Sequence, residues 1–140
     1  YYSPYHNQIN KFINDSLINE DIPKILSIHS FTPIWKGKKR DIEVGILWDK
    51  DDRLSKIFLN SFKGRKIGDN KPYSGRLKND TLFKHGSKNG LPHILIELRQ
   101  DLLRKKKDRL QWAKKIHKIL KENENLINTF SVKKYGSYTL

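Results

Sequence analysis

Two titratable side chains in this sequence follow short, largely apolar segments, where a strand would hold them in place. His29 follows residues 25–28, and Glu97 follows residues 94–96. An imidazole at the end of a strand can offer one nitrogen to a metal ion while the other nitrogen bonds a carbonyl or a carboxylate. A carboxylate in a buried strand is costly unless it is paired or functional, and burial raises its pKa toward the range that suits a general base.

The residue types alone leave a structural alternative for each side chain. His29 can be a half-buried histidine whose ring nitrogens are satisfied by local partners. Glu97 can be one half of an ion pair with Arg99, which lies two residues further on and therefore on the same face of a strand. Spacing by itself does not separate these alternatives from the catalytic ones.

A second set of polar side chains is of the kind that binds a small polar ligand. The candidates are Arg40, Asn70, Tyr73, Ser74, His85 and Arg99. Asn70, Tyr73 and Ser74 belong to residues 68–75, a segment with the composition of a turn that offers one amide and two hydroxyls. Arg40 precedes a predicted strand, where its guanidinium could hold a carboxylate through two parallel hydrogen bonds. Each of these residues can equally be an ordinary turn or surface residue.

The elements that must position these residues follow from the spacing of the apolar positions. The predicted helices are residues 5–19, 51–63 and 108–123, and the predicted strands are residues 24–30, 42–48 and 92–98. The glycine-rich stretch 64–91 is predicted to be a long irregular loop, and residues 126–140 are ambiguous between a strand and a frayed tail. This order predicts an α/β fold, in which ligand sites gather at the carboxyl ends of strands.

The composition excludes several classes of site and of protein. The chain has 140 residues, which is the length of one domain, and it has neither Cys nor Met. The absence of Cys excludes a disulfide scaffold, a thiolate nucleophile and a Cys-ligated metal site. No apolar run approaches the roughly 20 residues that a membrane span needs, and no signal peptide opens the chain. We therefore expect no membrane partner.

The formal net charge is +14, from 29 Lys and Arg against 15 Asp and Glu. Such a balance raises the possibility of nucleic acid or another anionic partner. The basic residues cluster at 36–40 and again at 104–121. No zinc finger, no RNA-binding strand motif and no basic region followed by heptads accompanies them. We therefore interpret most of the charge as solvated surface and expect no nucleic-acid partner.

Five ordered sequence blocks together resemble the N-formylglutamate amidohydrolase family. They are Ile-His-Ser-Phe-Thr-Pro at 28–33, Val-Gly-Ile-Leu-Trp-Asp at 44–49, the turn segment 68–75, Gly-Leu-Pro-His-Ile-Leu-Ile-Glu-Leu-Arg-Gln-Asp-Leu at 90–102, and Trp-Ala at 112–113. The opening segment 1–9 resembles the part of the family that precedes the histidine strand. This family is similar in turn to zinc carboxypeptidases.

The resemblance implies a fold, an activity and roles for individual residues. The implied fold is a three-layer, phosphorylase/hydrolase-like (zinc carboxypeptidase-like) α/β domain, with a mixed sheet and flanking helices. The implied activity is zinc-dependent hydrolysis of an N-formyl or N-acyl amino acid such as N-formyl-L-glutamate, in the cytoplasm and in histidine degradation. His29 would be a Zn²⁺ ligand, and Glu97 would be the base that activates water. Arg40 or Arg99, with the other polar candidates above, would bind the substrate.

The sequence departs from the family pattern in its metal ligands. The family's first two ligands belong to a Glu-His-Ala-Gly-like motif and an acidic motif that precede the region matched here. His6, His85, His93 and His117 do not stand where they could replace those ligands. We therefore expect residues 1–140 to be the C-terminal part of a single amidohydrolase domain whose N-terminal part is missing, and to be inactive alone. The alternatives are a basic module that binds RNA or anions, and a non-catalytic relative.

Overall fold

The computed structural model describes residues 1–62 and 65–139 as a mixed α/β structure. Its α-helices are α1 (Tyr2–Ile18), α2 (Arg53–Ser61), α3 (Lys106–Glu122) and α4 (Glu124–Asn128). Its strands are β1 (Ile25–Phe31), β2 (Ile34–Trp35), β3 (Lys38–Lys39), β4 (Val44–Leu47), β5 (Ile67–Asp69) and β6 (His93–Arg99). A π-helical turn covers Phe83–Ser87, and a 3-10 turn covers Gln100–Leu103.

The main sheet has four strands in the order β1-β6-β4-β5. β6 is parallel to β1 and antiparallel to β4, while β4 and β5 are parallel to each other. The short strands β2 and β3 form a separate antiparallel hairpin between β1 and β4. The mixed sheet with helices beside it confirms the predicted α/β class.

One face of the sheet is covered by α2 and α3, and this face holds the main core. Side chains at alternate positions of the strands point into this core. The two helices contribute apolar side chains that recur every three or four residues. The core residues include Val44, Ile46, Ile94, Ile96, Leu98, Leu54, Phe58, Phe62, Trp112, Ile116 and Ile119. Burying each large apolar side chain of this kind contributes about 1.5–3 kcal/mol before the entropic cost of folding is counted.

The opposite face of the sheet carries a smaller apolar cluster and the polar groups of interest. Leu47, Leu82 and Leu95 form that cluster. α1 lies on this side, where Ile13 is its buried residue. No helix in the described part of the chain combines the length and the apolar composition that a membrane crossing requires.

The predicted elements are present, with different bounds. α1 begins at Tyr2 rather than at residue 5, and α3 begins at Lys106 rather than at 108. The second strand is shorter than predicted, because only Val44–Leu47 has strand partners. The helix predicted over 51–63 covers Arg53–Ser61, and residue 63 lies outside the described residues.

Three segments differ from the sequence prediction in kind. The stretch predicted as an irregular loop contains β5 and the π-helical turn (its first residue, 64, lies outside the described residues). The hairpin of β2 and β3 lies in a segment with no predicted strand. The ambiguous C-terminal segment forms part of α4 and then has no regular structure up to residue 139. Two- and three-residue strands exist only through their partners, so local composition does not reveal them.

Candidate active site

The sheet register brings the two candidate catalytic side chains next to each other. His29 of β1 pairs with Glu97 of β6, and Glu97 pairs on its other side with Gly45 of β4. Paired residues on neighbouring strands point to the same face, so His29 and Glu97 share the face opposite the main core. His29 and Glu97 are thus neighbours on adjacent strands, although they lie 68 residues apart in the sequence.

Glu97 is a buried carboxylate with an unsatisfied oxygen. Its side chain is 9% exposed, and Oε2 has no hydrogen-bond partner among the described residues. Oε1 lies 3.7 Å from Nδ1 of His29, which is within ion-pair distance and longer than a hydrogen bond. Burial raises the pKa of Glu97, while nearby His29 and Arg40 act in the opposite direction. A carboxylate held in this way is suited to take a proton from a bound molecule.

His29 stands at the open side of the same site. Its side chain is 56% exposed, and its Nε2 lies 3.2 Å from Oγ of Ser27 on the same strand face. β1 is an edge strand of the four-stranded sheet, so no strand among residues 1–62 and 65–139 pairs with it on its outer side. The imidazole is therefore accessible to a ligand or a metal ion.

Gly45 pairs with Glu97 and lets the backbone at Lys71 approach β4 closely. A Cβ added at Gly45 would lie 3.3 Å from Cβ of Glu97 and 2.5 Å from the carbonyl oxygen of Lys71. The second distance is too short for any side chain unless the backbone moves. The close approach of β4, β6 and the segment after β5 therefore requires glycine at this position.

A cavity of about 490 Å³ opens above Glu97 and His29. Its walls come from β1, β6, α1 and the segment between β5 and the π-helical turn. Polar groups that line it include Ser27, His29, Tyr73, Ser74, Asp80 and Glu97. This volume is in the range of cavities that hold small ligands. Two of the predicted substrate-binding residues, Tyr73 and Ser74, are thus placed at the cavity.

Arg40 is placed at the edge of the site through Tyr73. Its guanidinium donates a hydrogen bond of 2.9 Å to the Tyr73 hydroxyl. It also packs against the rings of Phe31, Trp35 and Tyr73, at 5.4, 5.3 and 5.1 Å from their centroids. Three aromatic contacts restrict a long side chain to few conformations. The positive charge is consequently held close enough to Glu97 to influence its pKa.

The structure does not bring Arg99 or Asn70 to the cavity. Arg99 is buried and donates to both carboxylate oxygens of Asp101 and to the backbone carbonyls of residues 40–42. Its ion-pair partner is thus Asp101 rather than Glu97. Oδ1 of Asn70 accepts hydrogen bonds from the backbone N–H groups of Trp48 and Gly75. The donors of Arg99 and the acceptor of Asn70 are used to fix backbone segments.

His85 also lies away from the cavity, because it is 2% exposed and faces α1. Its Nε2 lies 2.7 Å from Nδ1 of His6, and its Nδ1 lies 3.0 Å from Oδ1 of Asn10. Of these residues, His6 lines the cavity. The predicted ligand contact of His85 is therefore replaced by a contact with a second histidine.

Among the cavity residues that the sequence did not single out, His6 and Asp80 carry titratable side chains. His6 comes from the first helix, and Asp80 comes from the segment before the π-helical turn. Asp80 accepts a 2.6 Å hydrogen bond from the backbone N–H of Phe83, and burial raises its pKa. Asp80 followed by a helical turn is an N-cap pattern, which gives no sign of a ligand site. His6 had no signal in the sequence beyond its residue type.

The donors of the described residues do not complete a zinc site. A catalytic zinc ion takes three protein ligands and one water. Within residues 1–62 and 65–139, no three His, Cys, Asp or Glu side chains are close enough to share a metal ion. His29 can supply one ligand, and a complete set would require donors from elsewhere.

The basic residues of α3 lie on the other side of the sheet from the cavity. α3 carries much of the second basic cluster and packs on the main-core face through Trp112, Ile116 and Ile119. Two of its lysines have acidic partners, since Lys118 and Lys121 form ion pairs with glutamates of α3 and α4. The chemistry around Glu97 is thus separated from the basic residues of α3.

Comparisons with known proteins found a family match and a structural match. A family model described as N-formylglutamate amidohydrolase matches residues 1–104, a range that includes His29 and Glu97. The crystal structure of gene product Atu2144 from Agrobacterium tumefaciens superposes with a TM-score of 0.78 and 28% sequence identity. That match covers 90% of this chain and 51% of the other, so this chain spans about half the length of that protein. No curated protein matches the chain.

Proposed function

Because the chain belongs to the N-formylglutamate amidohydrolase family, we propose that the cavity above Glu97 is the place where an N-acyl amino acid is hydrolysed at its amide bond. The family match supports amidohydrolase-type activity. The substrate, the catalytic residues and the metal are our proposals. The observation that carries them is the buried Glu97 carboxylate, which has an unpartnered oxygen and lies beside His29 in a cavity of ligand size.

Glu97 acts as a general base in the proposed reaction. It takes a proton from a water molecule while the water oxygen bonds to the carbonyl carbon of the formyl or acyl group. The tetrahedral intermediate then breaks its C–N bond, and Glu97 returns the proton to the leaving nitrogen. The products are a carboxylic acid (formate, for a formyl substrate) and the free amino acid. A raised pKa makes the carboxylate a stronger base toward water than an exposed glutamate.

Arg40 is proposed to bind a carboxylate of the substrate. Its charge lies at the edge of the cavity and is held by three aromatic rings and by Tyr73. An amino-acid substrate always carries at least one carboxylate, and glutamate carries two. A preoriented guanidinium loses little side-chain entropy when it binds such an anion. The hydroxyls of Tyr73 and Ser74 line the same cavity and provide neutral hydrogen-bond partners.

His29 is proposed as one ligand of a zinc ion whose remaining ligands lie outside the described residues. When bound, such an ion polarises the carbonyl and acidifies water. Since the described donors do not complete a set of three, the proposed proton transfers are assigned to Glu97 alone. The isolated 140-residue chain should therefore show no tight, stoichiometric zinc binding in a calorimetric titration. Tight one-to-one binding would show that the chain forms the site by itself.

The decisive experiment measures formate release from N-formyl-L-glutamate by the full-length protein and by its Glu97→Gln variant. We expect the substitution to lower the rate at least about 100-fold, because general base catalysis contributes factors of that size. Glu122→Gln, on the exposed surface of α3, is the matched control and should leave the rate unchanged. Retained turnover in the Glu97 variant would remove this residue from the base role.

A further inference from the structure

Two histidines without a part in the mechanism above contact each other beside the cavity. Nδ1 of His6 lies 2.7 Å from Nε2 of His85, and the two rings stack with centroids 5.0 Å apart. His6 belongs to α1 and His85 to the π-helical turn, 79 positions later in the chain. Their contact therefore joins two elements on the side of the sheet that carries Glu97.

The second nitrogen of His85 determines which ring donates the hydrogen bond. Nδ1 of His85 lies 3.0 Å from Oδ1 of Asn10, an atom that only accepts. His85 must therefore carry its proton on Nδ1, and its Nε2 accepts the Nδ1–H of His6. Burial, aided by His6 and Lys84, lowers the pKa of His85, which agrees with a neutral ring. His6 is thus fixed as the Nδ1–H donor.

The remaining nitrogen of His6, Nε2, is available to a ligand. His6 lines the cavity together with Tyr2, and its Nε2 has no hydrogen-bond partner among the described residues. The rings of Tyr2 and Tyr5 contact the imidazole edge-on, with centroids at 4.3 and 5.1 Å. With one nitrogen bonded to His85 and two rings against it, the imidazole is held in one orientation.

The backbone around His85 provides an independent indication. π-helical turns are rare and are found frequently at functional sites. This one presents His85 toward α1, while the preceding Asp80 lines the cavity and accepts the backbone N–H of Phe83. A Cβ at the neighbouring Gly86 would collide with the ring of His93. The position of His85 is therefore closely determined by its surroundings.

We propose that His6 is a substrate-binding residue whose Nε2 accepts a hydrogen bond from the amide N–H of the bound N-acyl amino acid. His85 and Asn10 are positioning residues that keep the proton of His6 on Nδ1. This inference rests on the proposed function, because the secondary amide is the group that supplies the N–H. It adds a specificity: a substrate whose amide nitrogen carries a methyl group should bind about tenfold more weakly, since one hydrogen bond is lost and an acceptor is left unpaired.

The first test is nuclear magnetic resonance of the protein labelled with ¹⁵N-histidine, in which long-range ¹H–¹⁵N spectra distinguish protonated from unprotonated ring nitrogens. We expect His85 to be protonated on Nδ1 and His6 to have an unprotonated Nε2. Addition of N-formyl-L-glutamate should shift the Nε2 resonance of His6, and the N-methyl amide analogue should not. A proton on Nε2 of His6 before ligand is added, or equal shifts with both compounds, would overturn the inference.

A substitution separates substrate contact from support of the fold. His6→Asn keeps a donor near the position of Nδ1 and removes Nε2, so the melting temperature should be retained while the tenfold preference for the N–H compound disappears. His117→Asn, on the exposed side of α3, is the control and should keep both properties. A preserved preference in His6→Asn would refute the assignment. If N-formyl-L-glutamate perturbs His29 and leaves His6 unchanged, this inference fails and the proposed function stands. If it perturbs neither histidine, both fail.

Discussion

Glu97→Gln should make the protein more stable while it removes the proposed base. The carboxylate is 9% exposed on its side chain, and its Oε2 is buried without a partner. A charged group in such a place opposes folding, because it loses its hydration and gains little in return. Glutamine has nearly the same shape and carries no charge. The variant should therefore have a higher free energy of unfolding than the wild-type protein.

The magnitude follows from the unsatisfied oxygen. Leaving one buried polar group unpaired costs about 1–3 kcal/mol, and glutamine keeps an amide that also needs partners. We therefore expect a gain near the lower end, about 1 kcal/mol in the free energy of unfolding. For a chain of this length, that gain corresponds to a rise in melting temperature of about 3–4 °C.

The sign of the pH dependence gives the sharper test. Burial raises the pKa of Glu97 above its ordinary value of 4.5, so the folded protein binds this proton more tightly than the unfolded chain does. Below pH 4.5 Glu97 is protonated in both states and does not destabilise the wild-type protein. As pH rises through the folded pKa, the carboxylate ionises and the free energy of unfolding falls. The difference in the free energy of unfolding between variant and wild type should therefore be largest at neutral pH and should shrink toward zero as pH falls below 4.5.

Thermal unfolding followed by circular dichroism between pH 4 and pH 8, with a chelator present, measures this difference. Glu122→Gln changes an exposed glutamate of α3 and should alter stability by less than about 0.5 kcal/mol at any of these pH values. An unchanged or lower melting temperature for Glu97→Gln at neutral pH would refute the reasoning. A gain that persists at the acidic end would show that the effect arises from packing rather than from charge.

Three further predictions concern Arg40 and Gly45 at the site and the ion pair between Arg99 and Asp101. Arg40→Lys should raise KM for N-formyl-L-glutamate about tenfold, since lysine cannot reproduce two parallel hydrogen bonds to a carboxylate; an unchanged KM would exclude this contact. Gly45→Ala should lower the free energy of unfolding by about 1–3 kcal/mol in urea, because its Cβ would collide with backbone beside Glu97, and an unshifted midpoint would contradict that. The hydrogen bonds from Arg99 lower the pKa of Asp101 below its ordinary 3.8, so the stability from this pair is present above pH 3.8 and is lost as pH falls through the folded pKa. The difference in melting temperature between wild type and Asp101→Asn should therefore be constant near neutral pH and decline in acid, whereas a constant difference down to pH 2 would count against the pair.

The sequence by itself was sufficient for the fold class and for choosing His29 and Glu97 as candidates. Apolar runs and three- to four-residue periodicity are local properties, and they identified the three long helices and the three longer strands. His29 and Glu97 could be singled out because a titratable group next to an apolar strand is unusual wherever the strand lies. Burial of Glu97 followed from the apolar residues on both sides of it. These conclusions required no knowledge of which strands are neighbours.

The tertiary structure decided what each polar residue contacts. Register placed His29 beside Glu97, with Gly45 on the other side. Tertiary packing pairs Arg99 with Asp101 and with backbone carbonyls. It also places His85 against His6 rather than in the cavity. The partners of Arg99 and His85 were not readable from spacing. A side chain's partner depends on strand pairing and on how helices pack across long sequence separations, whereas local sequence fixes only the element in which the side chain lies.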